Sequence, residues 1–247
     1  MQKVVFQDLG RIRYREAWDL QERLLQALVA QKRANRERRQ AELLPLPQRH
    51  HLLFCEHLPV YTLGKSGSMD HLLLGEEKLK QQGFEFFKIN RGGDITYHGP
   101  GQIVGYPIFD LDEFFTDVRK YIRFLEEAII KVLASYGLEG QRETGYTGVW
   151  LPGGGQQPKR KICAIGVHLK RWVTMHGFAF NINTDLSHFD HIVPCGIAEE
   201  DRAVTSMEQE LGRKIDPEAV KTKLKSAFAE LFEFEYAAAD TTTPSPQ

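Results

Sequence analysis

Lys161-Ile162-Cys163-Ala164-Ile165-Gly166-Val167-His168-Leu169-Lys170-Arg171-Trp172-Val173-Thr174-Met175-His176-Gly177-Phe178-Ala179-Phe180-Asn181-Ile182 is the stretch that decides the fold class. Cys163, Ile165, Val167 and Leu169 alternate with smaller or polar residues, the period of a half-buried strand. Lys170-Arg171 is a short link, whereas a parallel crossover needs a dozen residues or more, so 162–169 and 172–182 are predicted to pair as an antiparallel hairpin. Outward from this hairpin, further strands are predicted at 52–55, 60–63, 84–89, 95–97 and 103–109. Tyr14, Trp18, Leu25 and Leu28 recur at helical spacing and predict an amphipathic helix over about 15–42. Val118, Ile122, Leu125, Ile129, Val132 and Tyr136 predict a second, stopped by Gly137. Asp216 as N-cap and Pro217 in the first turn open a third, with Val220, Leu224, Ala227, Phe228 and Leu231 on one face. Thr205-Ser206-Met207-Glu208 has capping-box spacing and predicts a short helix ending near Gly212. Strands and helices do not alternate one for one, which disfavours a doubly wound parallel fold. The expectation is α+β: a mostly antiparallel or mixed sheet with packed helices.

The 247 residues suffice for a large core, and 42% hydrophobic with 26% charged residues is an ordinary globular composition. The formal charge of −1, from 32 Lys+Arg against 33 Asp+Glu, argues against a nucleic-acid backbone as partner. No apolar run reaches the roughly 18 residues of a membrane span, and residues 1–8 lack the apolar core of a secretory signal. Cys55, Cys163 and Cys195 are odd in number and widely spaced, against a disulfide framework or a structural zinc site and in favour of a reducing cytoplasmic setting. One catalytic domain is expected over 1–236, with the Pro/Thr-rich 237–247 as a disordered tail. Gly153-Gly154-Gly155-Gln156-Gln157-Pro158 reads as a flexible loop within that domain. The basic run from Lys32 to Arg39 reads either as a solvated helix end or as a docking patch for an acidic partner.

Three segments carry chemistry. Arg91-Gly92-Gly93-Asp94-Ile95-Thr96-Tyr97-His98-Gly99-Pro100-Gly101-Gln102 holds four glycines among twelve residues, which permits close backbone approach to a ligand or simply a tight turn. It is neither a P-loop nor a GxGxxG fingerprint, so no nucleotide site follows. Lys161 opens an apolar strand with small residues behind it. Such a lysine is an ordinary surface residue unless a pocket draws it in, where burial would make it a usable base or thiolate partner. Cys195 lies between Pro194 and Gly196, a setting that suits a nucleophile better than the apolar strand patterns around Cys55 and Cys163. His188, Asp190 and His191 invite a Cys/His/Asp arrangement or a metal site, though further ligands for a metal are lacking.

Taken together, these segments resemble the lipoyl(octanoyl) transferase family, the octanoyltransferases of lipoate biosynthesis. The likeness runs from His57 to Glu208. It covers Pro59-Val60-Tyr61-Thr62-Leu63-Gly64, the 91–102 stretch continuing into Gly105-Tyr106-Pro107, Gly145-Tyr146-Thr147-Gly148-Val149-Trp150, Lys161 to Gly166, His176-Gly177-Phe178-Ala179, Asn181 and Val193-Pro194-Cys195-Gly196. It implies a fold like the catalytic modules of biotin and lipoate protein ligases. It also implies transfer of an octanoyl group from octanoyl-acyl carrier protein to a lysine on lipoyl domains of 2-oxoacid dehydrogenases or on the glycine-cleavage H protein. The family's nucleophile falls on Cys195 and its tuning lysine on Lys161. The acyl-substrate contacts fall on Arg91, Gly92, Gly93, Asp94, Ile95, Thr96, Tyr97 and His98, on Ala164, Ile165 and Gly166, and on Gly177, Phe178 and Ala179. No metal and no cofactor of the protein's own is implied, because phosphopantetheine arrives on the carrier. Cys163 stands where the family usually has a small non-thiol residue, which raises a second thiol near the site.

The chemistry that follows is a thioester acyl-enzyme on Cys195, formed without ATP because the donor thioester is already activated. Three rival readings stand beside it. An ATP-dependent lipoate or biotin-type ligase would work through an acyl-adenylate and need no cysteine. A non-catalytic acyl-carrier or lipoyl-domain binding protein would keep the pocket but have no use for Cys195 and Lys161 together. An amidotransferase moving octanoyl between lipoyl domains would share the acyl-enzyme but differ in its donor.

Overall fold

The computed structural model describes residues 1–155, 157–193 and 202–237. In chain order its elements are β1 (Gln2–Ile12), α1 (Tyr14–Gln40), β2 (His50–His57), β3 (Val60–Leu63), α2 (Glu76–Gln81), β4 (Glu85–Lys88), β5 (Ile95–His98), β6 (Gln102–Ile108), α3 (Val118–Ala134), β7 (Gln141–Glu143), β8 (Tyr146–Leu151), β9 (Lys159–Lys170), β10 (Val173–Asn181), β11 (Arg202–Val204), α4 (Met207–Leu211), α5 (Pro217–Phe232) and β12 (Phe234–Tyr236). The large sheet runs β12-β1-β2-β6-β10-β9-β8-β7, with β11 on β9, and a small sheet runs β4-β3-β5. Pairing is parallel at β12/β1, β1/β2, β11/β9 and β3/β4, and antiparallel elsewhere, so the sheet is mixed as expected.

Period two sorts the large sheet into two faces. Ile103, Phe178, Phe180 and Ile182 join the apolar faces of α3 and α5 in one core. Leu53, Cys55, Val104, Met175 and Ala179 pack beneath α1 in another. Caps set the helix starts: Asp117 accepts from Lys120 N at 3.0 Å before α3, and Asp216 accepts from Glu218 N at 3.0 Å before Pro217. The small sheet has its own core of Tyr61, Leu63, Ile95, Tyr97 and Ile192.

Three local details depart from the sequence reading. The hairpin turn is Arg171-Trp172, not Lys170-Arg171: Val173 pairs with Lys170, and the two turn residues have φ of 52° and 68°. That is the primed geometry usually marked by Asn-Gly, which the sequence lacks. The N-cap of α4 is Ser206, accepting from Gln209 N at 3.2 Å, while Thr205 donates to Glu210 Oε1 at 2.7 Å. The basic end of α1 is solvated only in part, with Arg33 and Arg36 exposed. Lys32 Nζ lies 2.7 Å from Asp110 and 2.6 Å from Asp112, and Arg39 lies 3.6 Å from Glu113, so the helix end is tied to the turn after β6.

Candidate active site

A cavity of about 290 Å³ opens between the two sheets where β9 and β10 meet the glycine-rich loop. Its floor is built by register. Ala164 on β9 pairs with Ala179 on β10, and Gly166 pairs with Gly177. These four residues occupy one face of two adjacent strands, so the sheet carries almost no side-chain volume there. At Gly177 the space is taken by backbone: a Cβ would come within 2.1 Å of Gly105 O. At Gly166 a Cβ would come within 2.8 Å of Gly92 O, so the glycine loop rests directly on β9. Gly92 N donates to Val167 O at 2.9 Å and closes that contact.

Arg91 anchors the loop from below. Its Nη2 donates to Thr62 O at 2.6 Å and to Thr62 Oγ1 at 3.0 Å, and its Nη1 donates to Gly92 O at 3.0 Å. The guanidinium is thus a buried structural clamp that also borders the cavity. His98 lies beside it. Gln102 Nε2 donates to Tyr97 O at 3.1 Å and Asn181 Oδ1 at 2.9 Å, which leaves its Oε1 as acceptor for His98 Nδ1 at 3.3 Å. His98 Nε2 then faces the Thr62 hydroxyl at 3.4 Å as acceptor. This network assigns a neutral imidazole. Burial, and then the charges of His57 and Arg91, hold His98 well below the usual histidine range. His98 therefore stays uncharged at neutral pH and serves as a wall, stacked on Tyr14 at 6.0 Å and 11°.

Lys161 reaches the same cavity because of a bulge. Val149 pairs with Cys163, but the next residue, Trp150, pairs with Lys161, so Ile162 is an extra residue in β9. Ile162 and Cys163 consequently both enter the core on the α3 side. Lys161 and Ala164 flank them and both border the cavity. Strict alternation would have placed Lys161 on the face of Cys163. Its Nζ stands 4.6 Å from the Trp150 ring centroid. Lys161 O accepts from Thr205 N at 3.0 Å, which fixes the strand on the β11 side.

Of the residues singled out in the sequence, Lys161, Arg91, Gly92, Gly93, Asp94, Ile95, Thr96, His98, Ala164, Ile165, Gly166, Gly177, Phe178 and Ala179 all border this one cavity. Tyr97 does not. Its strand partner is Tyr61, and both rings turn into the small-sheet core, 5.3 Å apart, on the opposite face from Thr96 and His98. Cys195, with Pro194 and Gly196, lies outside the described residues. The described chain on either side of 194–201 borders the cavity, through Phe189 before it and Val204 after it. Cys55 and Cys163 are core residues, and burial pushes both thiols up. Cys163 is thus a masked thiol and not a second working one. His188 and His191 face Tyr97 and Tyr61 in an aromatic cluster, and among the described residues no three His, Cys, Asp or Glu come together as metal ligands.

The cavity also takes residues that the sequence reading did not assign: Tyr14, Tyr106, Tyr146, His176 and Val204. Tyr106, Tyr146 and His176 sit inside the quoted strings of resemblance and could have been taken from them. Tyr14 and Val204 carried no local signal, since α1 and β11 reach the site only through tertiary packing.

The sequence model of the family described as "Lipoyl protein ligase A/B catalytic domain" matches residues 13–229. The octanoyltransferase of Flavobacterium johnsoniae is 56% identical over 234 residues, covering 94% of this chain and 98% of the relative. That of Cytophaga hutchinsonii is 51% identical over 230 residues, covering 93% of each. Among solved structures, a bipartite lipoate protein ligase from Thermoplasma acidophilum superposes with a TM-score of 0.65 at 15% identity, covering 96% of this chain and 86% of that one. A lipoate-protein ligase A bound with ATP gives 0.64 at 14% identity, with 96% and 88% covered. At these identities the two ligases share the fold with this chain, and their chemistry is not thereby shared.

Proposed function

The chain belongs to the lipoyl protein ligase A/B catalytic-domain family, and from that membership we propose that its reaction runs through an octanoyl thioester on Cys195, with Lys161 as the proton-handling partner. It is an octanoyltransferase of lipoate biosynthesis, acting on lipoyl-domain proteins. The finer reading is that octanoyl-acyl carrier protein is the donor and that the glycine-cleavage H protein is among the acceptors. On this reading the enzyme works in the cytoplasm, needs no metal or cofactor of its own, and keeps its catalytic unit within 1–236. No helix among the described residues is long and apolar enough to cross a membrane.

One observation supports the mechanism above the others: the Lys161 side chain borders the same cavity as the small-residue floor of Ala164, Gly166, Gly177 and Ala179. The methyl groups of Ala164 and Ala179 leave room beside them for an alkyl chain, whose burial is worth about 0.8 kcal/mol per methylene. Phe189 and Val204 bring both flanks of the 194–201 segment to that cavity. A free cysteine thiol is only a few per cent ionised at pH 7, so a neighbouring base is needed. Lys161 takes the Cys195 proton, and the thiolate attacks the donor carbonyl. The carrier thiol leaves with the proton that Lys161 returns. The acceptor's lysine amine then attacks the enzyme thioester, its proton passes through Lys161 to the departing Cys195 sulfur, and an amide remains. The tetrahedral oxyanion needs backbone donors. From Ala164 onward β9 no longer pairs with β8, and that open edge, with the amides of Cys195 and Gly196, supplies the candidates.

Transfer from an octanoyl thioester to a lipoyl domain in the absence of ATP tests this directly. Transfer without nucleotide is expected. Strict dependence on ATP would move the chain to the ligase reading.

A further inference from the structure

Asp94 stands at the end of the glycine loop and its side chain is 10% exposed. Its Oδ1 accepts from Ile95 N at 2.7 Å, which fixes the carboxylate plane. Its Oδ2 is hydrogen-bonded to His71 Nδ1, on a residue 23 positions earlier in sequence. A carboxylate this buried is costly unless paired, so the His71 contact is an essential part of its setting. The segment carrying His71 packs tightly here: a Cβ on Gly67 would come within 2.6 Å of Asp94 Oδ1.

The same His71 holds a third piece of chain. Its carbonyl accepts from Val193 N at 2.8 Å, Leu73 N donates to His191 O at 2.9 Å, and Leu72 and Ile192 form an antiparallel bridge. The Tyr61 hydroxyl adds a second hold, donating to His188 O at 2.7 Å. One residue thus links the loop that lines the cavity, through its imidazole on Asp94, to the backbone two residues ahead of Cys195, through its main-chain carbonyl on Val193 N.

We propose that His71 and Asp94 form a positioning pair that fixes the chain entering Cys195 against the glycine loop, so that the nucleophile meets the bound acyl carbonyl. The pair acts through the backbone at Val193 and through Asp94, not by touching the reacting atoms. This role rests on the Cys195 acyl-enzyme. Misplacing a reacting group by about 1 Å can cost on the order of a hundredfold in rate.

The test is the rate of octanoyl-adduct formation on the full chain, followed by intact mass with octanoyl-pantetheine as probe. His71→Ala is expected to slow adduct formation about ten- to a hundredfold at saturating probe, with little change in the concentration giving half-maximal rate. Asn places an amide nitrogen where the imidazole Nδ1 stands, whereas Gln places one nearer the Nε2 position. His71→Asn should therefore recover to within about threefold of wild type, and His71→Gln should remain slow. The Asn/Gln contrast keeps the test decisive if His71→Ala fails to fold. A wild-type rate in His71→Ala, or equal rates in the Asn and Gln variants, would overturn the pair while leaving Cys195 in place. No adduct on the wild-type chain would instead overturn the acyl-enzyme, and the pair's role with it.

Discussion

Lys161 Nζ stands 4.6 Å from the centroid of the Trp150 ring, its cross-strand partner at the β9 bulge. An indole face favours a cation there by roughly 0.5–2 kcal/mol. Trp150 is fully buried, so the ring cannot move aside. Replacing it with Phe keeps most of the volume and weakens the attraction for the ammonium form. Trp150→Phe is expected to move the acid limb of the acylation pH–rate profile to lower pH by a few tenths of a unit, since one unit corresponds to about 1.4 kcal/mol. An unmoved profile would separate the ring from the proton chemistry.

The paired alanines and glycines under the cavity make a size prediction. Ala164 and Ala179 face each other across β9 and β10 on the cavity floor, with Val104 of β6 on the far side of Ala179. Ala164→Leu should fold and discriminate against octanoyl in favour of shorter acyl thioesters by at least about tenfold in kcat/KM. Competition between butanoyl and octanoyl donors measures it, and an unchanged preference would place the chain elsewhere. Gly177→Ala is different in kind, because its new methyl would meet Gly105 O at 2.1 Å. That variant should lose several kcal/mol of stability, of the order of severe overpacking, visible as a collapse of the unfolding midpoint.

Arg91 holds Thr62 O, Thr62 Oγ1 and Gly92 O with two nitrogens in a planar fork. Lysine keeps the charge but cannot span those acceptors. Arg91→Lys is expected to raise KM for the acyl thioester about tenfold or more while leaving Lys161 and its pH profile in place. Wild-type KM in this variant would show that the loop holds its shape without the clamp.

Several buried histidines set an acid limit on stability, His57 and His176 among them. Burial lowers His57 to about 4 and His176 to about 3, below the ordinary 6.5. The unfolded chain therefore binds more protons than the folded one between about pH 6.5 and the lowered values. The sign follows: this stability is intact above pH 6.5 and is lost as pH falls toward 4. Each histidine contributes a loss of about 2 kcal/mol over that range. Urea midpoints at pH 7 and pH 4.5 measure it. His57→Gln, with a neutral partner for Tyr106, should flatten part of the slope, and an equally steep slope in that variant would assign the acid sensitivity elsewhere.

Much of this arrangement was readable in the residues, and the gaps have physical causes. The hairpin, the three long helices and the mixed sheet follow from periodicity and caps. β1 escaped because Gln2, Lys3, Gln7, Asp8 and Arg11 interrupt its apolar pattern, and its polar side chains are met only in the fold, by Glu235, Lys221 and Glu56. The bulge at Ile162 left no mark in composition, yet it turns Lys161 toward the cavity. Tyr97 was grouped with its neighbours as a string, but alternation along β5 sends it to the other core. Tyr14 and Val204 arrive from distant segments, which no local pattern can announce. His71 lay in no motif at all, and its partner is 23 residues away.

The central claim is a covalent octanoyl group on Cys195. Intact mass after incubation with an octanoyl thioester, on the wild-type chain and on Cys195→Ala, measures it. One octanoyl group on the wild type, none on Cys195→Ala and a slowed gain on Lys161→Ala are the expected results. An adduct that persists in Cys195→Ala, or transfer to a lipoyl domain at wild-type rate by that variant, would contradict the account.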